Sequence, residues 1–368
     1  SSLSTSSIVI SGFTGSIAAD SPAGRLLTWA NTCGPMLSID VPSGMDAATG
    51  SVEGVCARAI WTVTFHRPKP GLYLTERRDC VGEITVAPIG LPREFDPQGG
   101  LLVNEEGDLH TLLPDRPASA HKGDCGRTVI YAGSLGMAGA AMIAARAALH
   151  AGAGLTTVIC PRAAMPVLQQ EVPNATCLAA EDQPTPKCDA LLMGCGIAEN
   201  DDTYADMMRL KATDAYQVWD AGALNLLAGH PQQLGARAVI TPHAGEAARL
   251  LGWEIPAVLS DKLGAAEALR AKYGCNVVLK SAVTVMLTAD GQQCALNAVG
   301  SPALAKGGSG DALAGILASL LGQGLPMLDA MRAACLWLGL AGIAAGKRCG
   351  VRAALTGDVI DSLGACEG

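Results

Sequence analysis

Aromatic residues are scarce in this sequence, where Phe, Trp and Tyr together make up 4% of 368 residues. Many proteins bind single-stranded nucleic acid by stacking its bases on aromatic side chains, so this scarcity argues against such a surface. The charge balance agrees, because the formal net charge is −8 and phosphate backbones are bound by basic faces. We therefore predict that nucleic acid is not a partner, while a local basic pocket for a small phosphate ligand remains open.

Paired cysteines and long apolar runs are also missing. The 13 cysteines are an odd number, occur singly and form no CxxC pair, which excludes the usual spacing of zinc sites and disulfide frameworks. Reduced, mostly buried thiols in a cytoplasmic protein are the simplest interpretation. No continuous apolar run reaches 18 residues and no signal peptide is recognisable, so we expect no membrane span. The first residue is not Met, and we expect the chain to begin partway through a longer gene product.

Alanine, glycine and other small or apolar residues take the place of aromatics, and 49% of the chain is hydrophobic. The length suits roughly two domains. Residues 1–92 alternate short strands with helices and predict part of a doubly wound sheet. Turn residues such as Pro97 and Gly99 then indicate a linker over 93–114. Residues 115–368 continue as a longer α/β alternation, typical of a central parallel sheet covered on both faces.

Polar or glycine-rich loops follow most strands of the second part. We predict these strands at 127–131, 155–159, 190–193, 217–219, 238–240 and 277–280. Since ligands of doubly wound sheets lie beyond the carboxyl ends of the strands, the loops should converge on one rim. Each loop also has a simpler interpretation: Asp220 as a helix N-cap, His243 as a helix-start residue paired with Glu246, and Lys280 as a surface lysine.

The most informative segment is 306–311, which reads Lys-Gly-Gly-Ser-Gly-Asp. An apolar helix pattern follows at once, with one buried stripe formed by Leu313, Ile316, Leu317, Leu320 and Leu321. The glycines therefore stand at a helix N-terminus, where free N–H groups and the helix dipole favour an anion such as phosphate. Asp311 at the same end can act as a base on a hydroxyl, which suggests phosphoryl transfer. The structural alternative is a glycine-rich helix start with Asp311 as a capping carboxylate.

Six segments then carry a family resemblance, in the same order as in the family. They are His121-Lys122-Gly123-Asp124-Cys125-Gly126, Gly152-Ala153-Gly154-Leu155, the run from Asp220 to Leu227, Ile240-Thr241-Pro242-His243-Ala244-Gly245-Glu246, Val278-Leu279-Lys280 and the 306–311 segment. Together they resemble the ADP/ATP-dependent NAD(P)H-hydrate dehydratases, which have a ribokinase-like fold. The resemblance spans about residues 115–365.

This resemblance implies a hydro-lyase of metabolite repair that returns NADHX or NADPHX to NAD(P)H. ADP or ATP with Mg²⁺ would phosphorylate the ring hydroxyl, and phosphate would then leave, giving AMP or ADP. Asp311 would be the catalytic base and would also contact substrate. The implied nucleotide-binding residues are Lys280, Ser281, Ala282, Val283, Thr284, Gly308, Ser309 and Gly310; those near the hydrate are Ala140, Gly196 and His243. We also expect a homo-oligomer.

Two motifs depart from the family pattern. The usual Gly-Pro-Gly-Leu-Gly is replaced by Gly194-Cys195-Gly196-Ile197-Ala198, and the usual Lys-Gly-Ala-Gly-Thr reads Lys-Ser-Ala-Val-Thr over 280–284. Side chains added where a backbone approaches a ligand are expected to weaken binding. We expect them to leave the chemistry of Asp311 unchanged.

Residues 1–92 resemble the second half of an NAD(P)H-hydrate epimerase, a partial Rossmann-like domain found ahead of the dehydratase in bifunctional repair enzymes. The resemblance is carried by the segments 38–46, 64–65, 69–72 and 81–84. It implies a substrate role for Asp40 and a potassium role for Ser43. However, Ile10 stands where the family has its potassium-binding Asp, the family's Gly-Thr-Gly reads Thr14-Gly15-Ser16, and the substrate loop would precede residue 1. We therefore predict no epimerase activity from this segment.

Two other functions remain open from the sequence. A small-molecule kinase of the same fold, acting on a sugar, pyrimidine or thiazole alcohol, would use the same glycine-Asp loop. A non-catalytic nucleotide-binding protein built on two decayed domains would explain Ile10 but not the intact Asp311.

Overall fold

The computed structural model describes residues 8–11, 15–92 and 101–367. The chain divides into two compact units, Ser1–Leu101 with Pro256–Leu263, and Leu102–Ile255 with Gly264–Gly368. The expected linker at 93–114 needs correction from Leu102 onward, because these residues form a strand and a short helix of the second unit. Backbone pairing explains the difference, since Leu102 and Val103 join the edge of its sheet. Pro97 and Gly99 lie outside the described residues.

The first unit contains a four-stranded, fully parallel sheet in the order β1-β2-β3-β4. Its elements are β1 (Ile8–Ser11), α1 (Pro22–Ala30), β2 (Met36–Ile39), β3 (Ala59–Phe65), α2 (Pro70–Leu74) and β4 (Glu83–Ala87). The alternation of strands and helices expected for this region is confirmed. Its hydrophobic clusters are small, one around Met36 and another around Met45 and Leu72.

The second unit is built on a ten-stranded sheet in the order β5-β14-β13-β12-β11-β10-β9-β6-β7-β8. Every neighbouring pair is parallel except those of β13, which runs antiparallel to β12 and β14. The strands are β5 (Leu102–Val103), β6 (Arg127–Tyr131), β7 (Leu155–Cys160), β8 (Thr176–Ala179), β9 (Ala190–Met193), β10 (Tyr216–Trp219), β11 (Ala238–Ile240), β12 (Asn276–Leu279), β13 (Thr284–Leu287) and β14 (Cys294–Asn297). All six predicted strands are present to within one residue at each end, while β5, β8, β13 and β14 were not predicted.

The remaining helices lie between or after these strands along the chain. They are α3 (Leu109–Leu112), α4 (Ala138–His150), α5 (Met165–Glu171), α6 (Asp201–Lys211), α7 (Gly222–Gly229), α8 (Ala244–Leu251), α9 (Ile255–Ser260), α10 (Lys262–Tyr273), α11 (Ser309–Gly322), α12 (Met327–Cys349) and α13 (Thr356–Asp361). Pro256–Leu263, at α9 and the start of α10, belongs to the first unit. The Ala-rich α4 and the apolar α11 pack closely together next to the strands. The α/β class expected from the sequence is therefore correct.

Helix α11 differs from its predicted amphipathic form. The predicted stripe from Leu313 to Leu321 is buried, but so is every other residue from Ala312 to Gly322. The helix packs against α4, α12, α13 and the strands β6, β9 and β10. Periodicity missed this because Ala, Gly and Ser between the leucines are small enough to be buried as well.

A glycine sets the close approach of α4 and α11. A Cβ added to Gly315 would lie 2.3 Å from the carbonyl oxygen of Ala144. Gly315→Ala is therefore expected to force the helices apart and to lower the free energy of unfolding by about 1 to 3 kcal/mol. Urea denaturation measures this, with Gly139→Ala as the control, because Gly139 is also helical but has open space at its Cβ. Equal stability of the two variants would contradict the packing argument.

Helix α12 is the one helix of the described residues that is long and apolar enough to cross a membrane. Of its most apolar 18-residue window, 67% is buried inside the fold. The indole of Trp337 donates to the carbonyl of Leu363 (2.9 Å), and Arg332 pairs with Asp108 (2.9 Å). These contacts are those of a core helix.

Candidate active site

Three of the predicted loops meet in a buried ion pair at the carboxyl edge of the large sheet. Lys280, directly after β12, places its Nζ 2.6 Å from Oδ1 of Asp220, which follows β10. The same carboxylate oxygen accepts a hydrogen bond from the hydroxyl of Thr241 (2.7 Å), which follows β11. Lys280 Nζ also lies 4.0 Å from a carboxylate oxygen of Glu246. Because β10, β11 and β12 are neighbours, the sheet itself brings these side chains together.

The simpler interpretations of Asp220 and Lys280 are therefore wrong. Asp220 is 1% exposed, and the N-cap of α7 is the next residue, Ala221. The side chain of Lys280 is 18% exposed and faces carboxylates instead of solvent. Ala221 itself has a φ of +48°, which is strained for a residue with a Cβ. Such strain clusters at functional sites and persists where the surroundings hold it in place.

Asp311 lies beside this pair, in the first turn of α11. Its carboxylate, that of Asp220 and the Sγ atom of Cys195 offer atoms that all lie within 4.8 Å of one another. The thiol of Cys195 thus faces the Asp311 carboxylate. Cys195, which stands in the place of the proline in the usual motif, therefore lies beside Asp311, a proximity that the sequence did not indicate.

Burial raises the pKa of Asp311 to about 6, and the neighbouring negative charge of Asp220 contributes to the increase. The hydrogen bond from Cys195 and the positive charge of Lys280 act in the opposite direction. Lys280 itself stays protonated: burial would lower its pKa, but the charges of Asp220 and Glu246 raise it overall. A carboxylate with a pKa near neutrality is well matched to accept a proton from a hydroxyl.

The raised pKa of Asp311 predicts a pH-dependent stability penalty. The folded state binds this proton more tightly than the unfolded state, whose carboxyl keeps a pKa of 3.8, so ionised Asp311 destabilises the fold as pH rises from about 4 through 6. Two pH units correspond to about 3 kcal/mol as an upper value. In urea denaturation, the free energy of unfolding of Asp311→Asn should exceed that of the wild type by about 1 to 3 kcal/mol near pH 8 and equal it near pH 4. A stability difference that does not change with pH would contradict this.

The glycine-rich loop forms an open N-terminus for α11. Gly308 is the N-cap with a φ of +95°, where a Cβ would lie 2.6 Å from Cδ1 of Ile143. A Cβ on Gly310 would lie 3.2 Å from Lys280 Nζ, which places the first turn beside the ion pair. The first-turn N–H groups of a helix have no partner within it and suit a phosphate. In the described part of the chain, the buried hydroxyl of Ser309 has no hydrogen-bond partner either.

His243 and Glu246 form a capping box at the start of α8. Nδ1 of His243 accepts from the N–H groups of Gly245 (3.0 Å) and Glu246 (3.2 Å), and Glu246 accepts from the N–H of His243 (2.8 Å). The predicted helix-start pairing is thus confirmed. Because Nδ1 accepts, the proton of a neutral imidazole lies on Nε2, which is 3.6 Å from Oε1 of Glu246. His243 remains exposed at the same rim, bridged by its backbone to Lys280.

The other predicted ligand residues lie in two places on this edge. Gly196, with a φ of +66°, is so close to Ala140 that a Cβ would lie 2.8 Å from that residue's own Cβ. The segment from Ser281 to Val283 connects β12 to β13, and the hydroxyl of Ser281 donates to the carbonyl of Val283 (2.5 Å). Thr284 is already the first residue of β13. A small pocket nearby, lined by Tyr131, Gly133, Ser134 and Ile197 among others, was not predicted.

The acidic groups do not form a cage for Mg²⁺ on their own. One oxygen of Asp220 is engaged by Lys280 and Thr241, and the third member of the cluster is a thiol. Mg²⁺ is a hard cation that prefers oxygen ligands and usually binds through nucleotide phosphates and water. The cluster of Cys195, Asp220 and Asp311 therefore does not fit a protein-held Mg²⁺, and the ion would arrive with the nucleotide.

The first unit holds Asp40 and Ser43. Asp40 follows β2 with a φ of +69° and accepts from Lys69 (2.6 Å) and the hydroxyl of Thr64 (3.0 Å). Burial would raise its pKa, but these bonds lower it overall. Ser43 is buried, and its carbonyl accepts from the N–H of Ala57 (2.9 Å). Thr14 and the side chain of Ile10 lie outside the described residues.

The glycine-rich start of α11, residues 307–310, is called the cradle. The cradle and Asp311 stand at the carboxyl edge of a largely parallel ten-stranded sheet, which places the second unit in the ribokinase-like class. A ribokinase-like superfamily protein from Enterococcus faecalis superimposes with a TM-score of 0.66 at 26% identity, covering 73% of this chain and 95% of its own. The family model for NAD(P)H-hydrate dehydratase matches residues 128–363, and the chain belongs to this family. A second model, YjeF-related protein N-terminus, matches residues 2–71.

Curated and solved relatives agree with this family. The bifunctional NAD(P)H-hydrate repair enzyme of Vibrio cholerae is 38% identical over 305 residues, which is 81% of this chain and 61% of the relative. That of Coxiella burnetii is 34% identical over 365 residues, covering 96% and 73%. The ADP/ATP-dependent NAD(P)H-hydrate dehydratase of Bacillus subtilis, co-crystallised with ATP and Mg²⁺, has a TM-score of 0.66 at 25% identity, covering 73% of this chain and 98% of its own. The chain thus spans less than two-thirds of the Vibrio cholerae enzyme.

Proposed function

We propose that the protein dehydrates NAD(P)H hydrate at the expense of ADP or ATP and so restores NAD(P)H. The position of Asp311 carries this proposal: a half-buried carboxylate with a pKa of about 6 stands at a helix start suited to an anion. Membership of the NAD(P)H-hydrate dehydratase family supports the choice of substrate. The Bacillus subtilis relative, crystallised with ATP and Mg²⁺, supports the choice of nucleotide.

In the proposed reaction Asp311 removes the proton of the ring hydroxyl, and the hydroxyl oxygen attacks the terminal phosphoryl group of the nucleotide. The bond to the leaving ADP or AMP breaks, and the phosphoryl group passes to the ring oxygen. The carbon–oxygen bond then breaks, phosphate departs with the electron pair, and loss of a ring proton restores the double bond. Phosphorylation is useful because phosphate leaves far more readily than hydroxide.

The residues around Asp311 have separate proposed tasks. The N–H groups of Gly308, Ser309 and Gly310 stabilise the transferring phosphoryl group as charge develops on it. Lys280, held by Asp220, supplies a fixed positive charge, and residues 281–284 line the nucleotide. Ala140, Gly196 and His243 line the hydrate. Bound Mg²⁺ would neutralise phosphate charge.

A potassium ion at Ser43, a homo-oligomeric state and a cytoplasmic location stay predictions. So does the absence of epimerase activity from the first unit.

The proposed function is tested by incubating the protein with NADHX, Mg²⁺ and either ADP or ATP while NADH absorbance is recorded. We expect nucleotide-dependent recovery of absorbance, with one phosphate released per NADH formed. Parallel samples contain a sugar, a hydroxymethylpyrimidine or a hydroxyethylthiazole in place of NADHX. Phosphorylation of one of these alcohols without NADHX turnover would favour the kinase alternative. Nucleotide binding with no turnover of any substrate would favour a non-catalytic protein.

A further inference from the structure

Cys195 lies in a loop that is fixed on both sides. The flanking glycines have φ values of +126° (Gly194) and +66° (Gly196), in the region that favours glycine. The carbonyl of Cys195 accepts from the N–H of Gly133 at 2.8 Å, which ties the loop to the end of the neighbouring β6. The side chain of Cys195 is fully buried. Because the backbone is fixed and the side chain is fully buried, the thiol has little room to move away from this position.

The thiol points into the carboxylate cluster. Its Sγ lies within 4.8 Å of carboxylate oxygens of both Asp311 and Asp220. The groups that face Asp311 come from several elements: Cys195 after β9, Asp220 after β10, Glu246 on α8 and Lys280 after β12. The thiol of Cys335 on α12 lies near Lys280. Among the four groups that face Asp311, Cys195 is the one that can donate a hydrogen bond without carrying charge.

We propose that Cys195 is a positioning residue of the dehydration reaction, whose S–H donates to the Asp311 carboxylate and holds it ionised and aimed at the phosphoryl cradle. This inference rests on the proposed function. A proline in this place, as in the family pattern, has no donor to offer. This chain would therefore control the ionisation and direction of Asp311 with a residue that the usual motif lacks.

The charges around Asp311 explain why such a donor matters. Burial and the negative charge of Asp220 both favour the protonated carboxyl, which is unable to accept a proton from substrate. A hydrogen bond to the ionised form counteracts them, and the thiol of Cys195 is the neighbour placed to supply one. The thiol remains protonated at neutral pH, because burial and then the charges of Asp311 and Asp220 raise its pKa well above the usual value. It is therefore a donor throughout the working range.

The pH dependence of kcat/KM tests the proposal. In Cys195→Ala the acidic limb of the profile should move to higher pH by roughly 0.5 to 1 unit, because the ionised carboxylate loses a donor. Activity should then fall about 2- to 6-fold near pH 6, about 3- to 10-fold well below pH 6, and little near pH 8. Cys195→Ser restores a donor and should bring the limb back to the wild-type position or below. Cys275→Ala, which removes another buried thiol from the opposite end of β12, should leave the profile unchanged.

A second readout does not require turnover. In protein labelled with ¹³C at aspartate carboxyl carbons, the Asp311 signal is identified by its loss in Asp311→Asn and is followed through a pH titration. Its midpoint should rise in Cys195→Ala and return in Cys195→Ser. If Cys195→Ala does not fold, Cys195→Val removes the donor with less change in volume. An unchanged midpoint in the folded donor-free variant would overturn the inference, whereas a wild type without dehydration would overturn the proposed function alone.

Discussion

Asp311→Asn is expected to lower dehydration turnover by about 10³-fold or more, while the dissociation constant for ADP or ATP changes less than about 3-fold. The amide has the shape of the carboxylate but is unable to accept the hydroxyl proton, so the first chemical step loses its base. Nucleotide binding is preserved because the backbone amides of the cradle and Lys280 are unchanged. Turnover is measured by the recovery of NADH, and binding by calorimetry.

Asp202→Asn is the matched control, because Asp202 is an exposed carboxylate in the first turn of α6. It should retain wild-type turnover. If Asp311→Asn keeps more than about a tenth of the wild-type rate, Asp311 is not the base. If Asp311→Asn loses nucleotide binding to the same extent as turnover, Asp311 instead maintains the structure of the nucleotide-binding loop.

Lys280→Met is expected to have the largest effect on stability. It leaves the buried carboxylate of Asp220 without its cation, with Glu246 and Asp311 close by. Removing one partner of a buried pair typically destabilises a protein by about 3 to 5 kcal/mol. The pKa of Asp311 should also rise, since Lys280 lowers it in the wild type, so the acidic limb of kcat/KM moves to higher pH. Urea denaturation and the pH profile measure the two effects.

The double variant Lys280→Met/Asp220→Asn separates charge from packing. Because it removes both charges, it should recover a large part of the lost stability without recovering nucleotide affinity. Lys347→Met, at the exposed end of α12, is the control and should be close to the wild type. A double variant as unstable as Lys280→Met alone would show that the lost stability does not come from the uncompensated carboxylate.

Much of the fold could be predicted because the central strands are short continuous apolar runs with polar residues directly after them. Residues 190–193 and 238–240 illustrate this: all seven are buried, and each run ends in a loop of the site. The rim also followed from the sequence, since parallel strands bring their carboxyl ends to one edge. Asp220, Lys280 and Asp311 do meet there.

What could not be predicted depends on contacts between distant parts of the chain. The ion pair of Lys280 joins residues 60 positions apart, and neither sequence neighbourhood indicates burial of a charge. Cys195 was visible only as a departure from a motif, and its contact with Asp311 depends on the packing of α11 beside β9. The strands β13 and β14 were not predicted because they form an antiparallel addition to an otherwise parallel sheet.

The path of the ring oxygen tests the central claim most directly. NADHX prepared in H₂¹⁸O carries the label in its ring hydroxyl, and the reaction is then run in ordinary water with ATP. If the hydroxyl is phosphorylated and leaves as phosphate, each phosphate released during NADH recovery contains one ¹⁸O atom, and Asp311→Asn releases none. Unlabelled phosphate, formed while NADH is restored at the wild-type rate, would contradict the account.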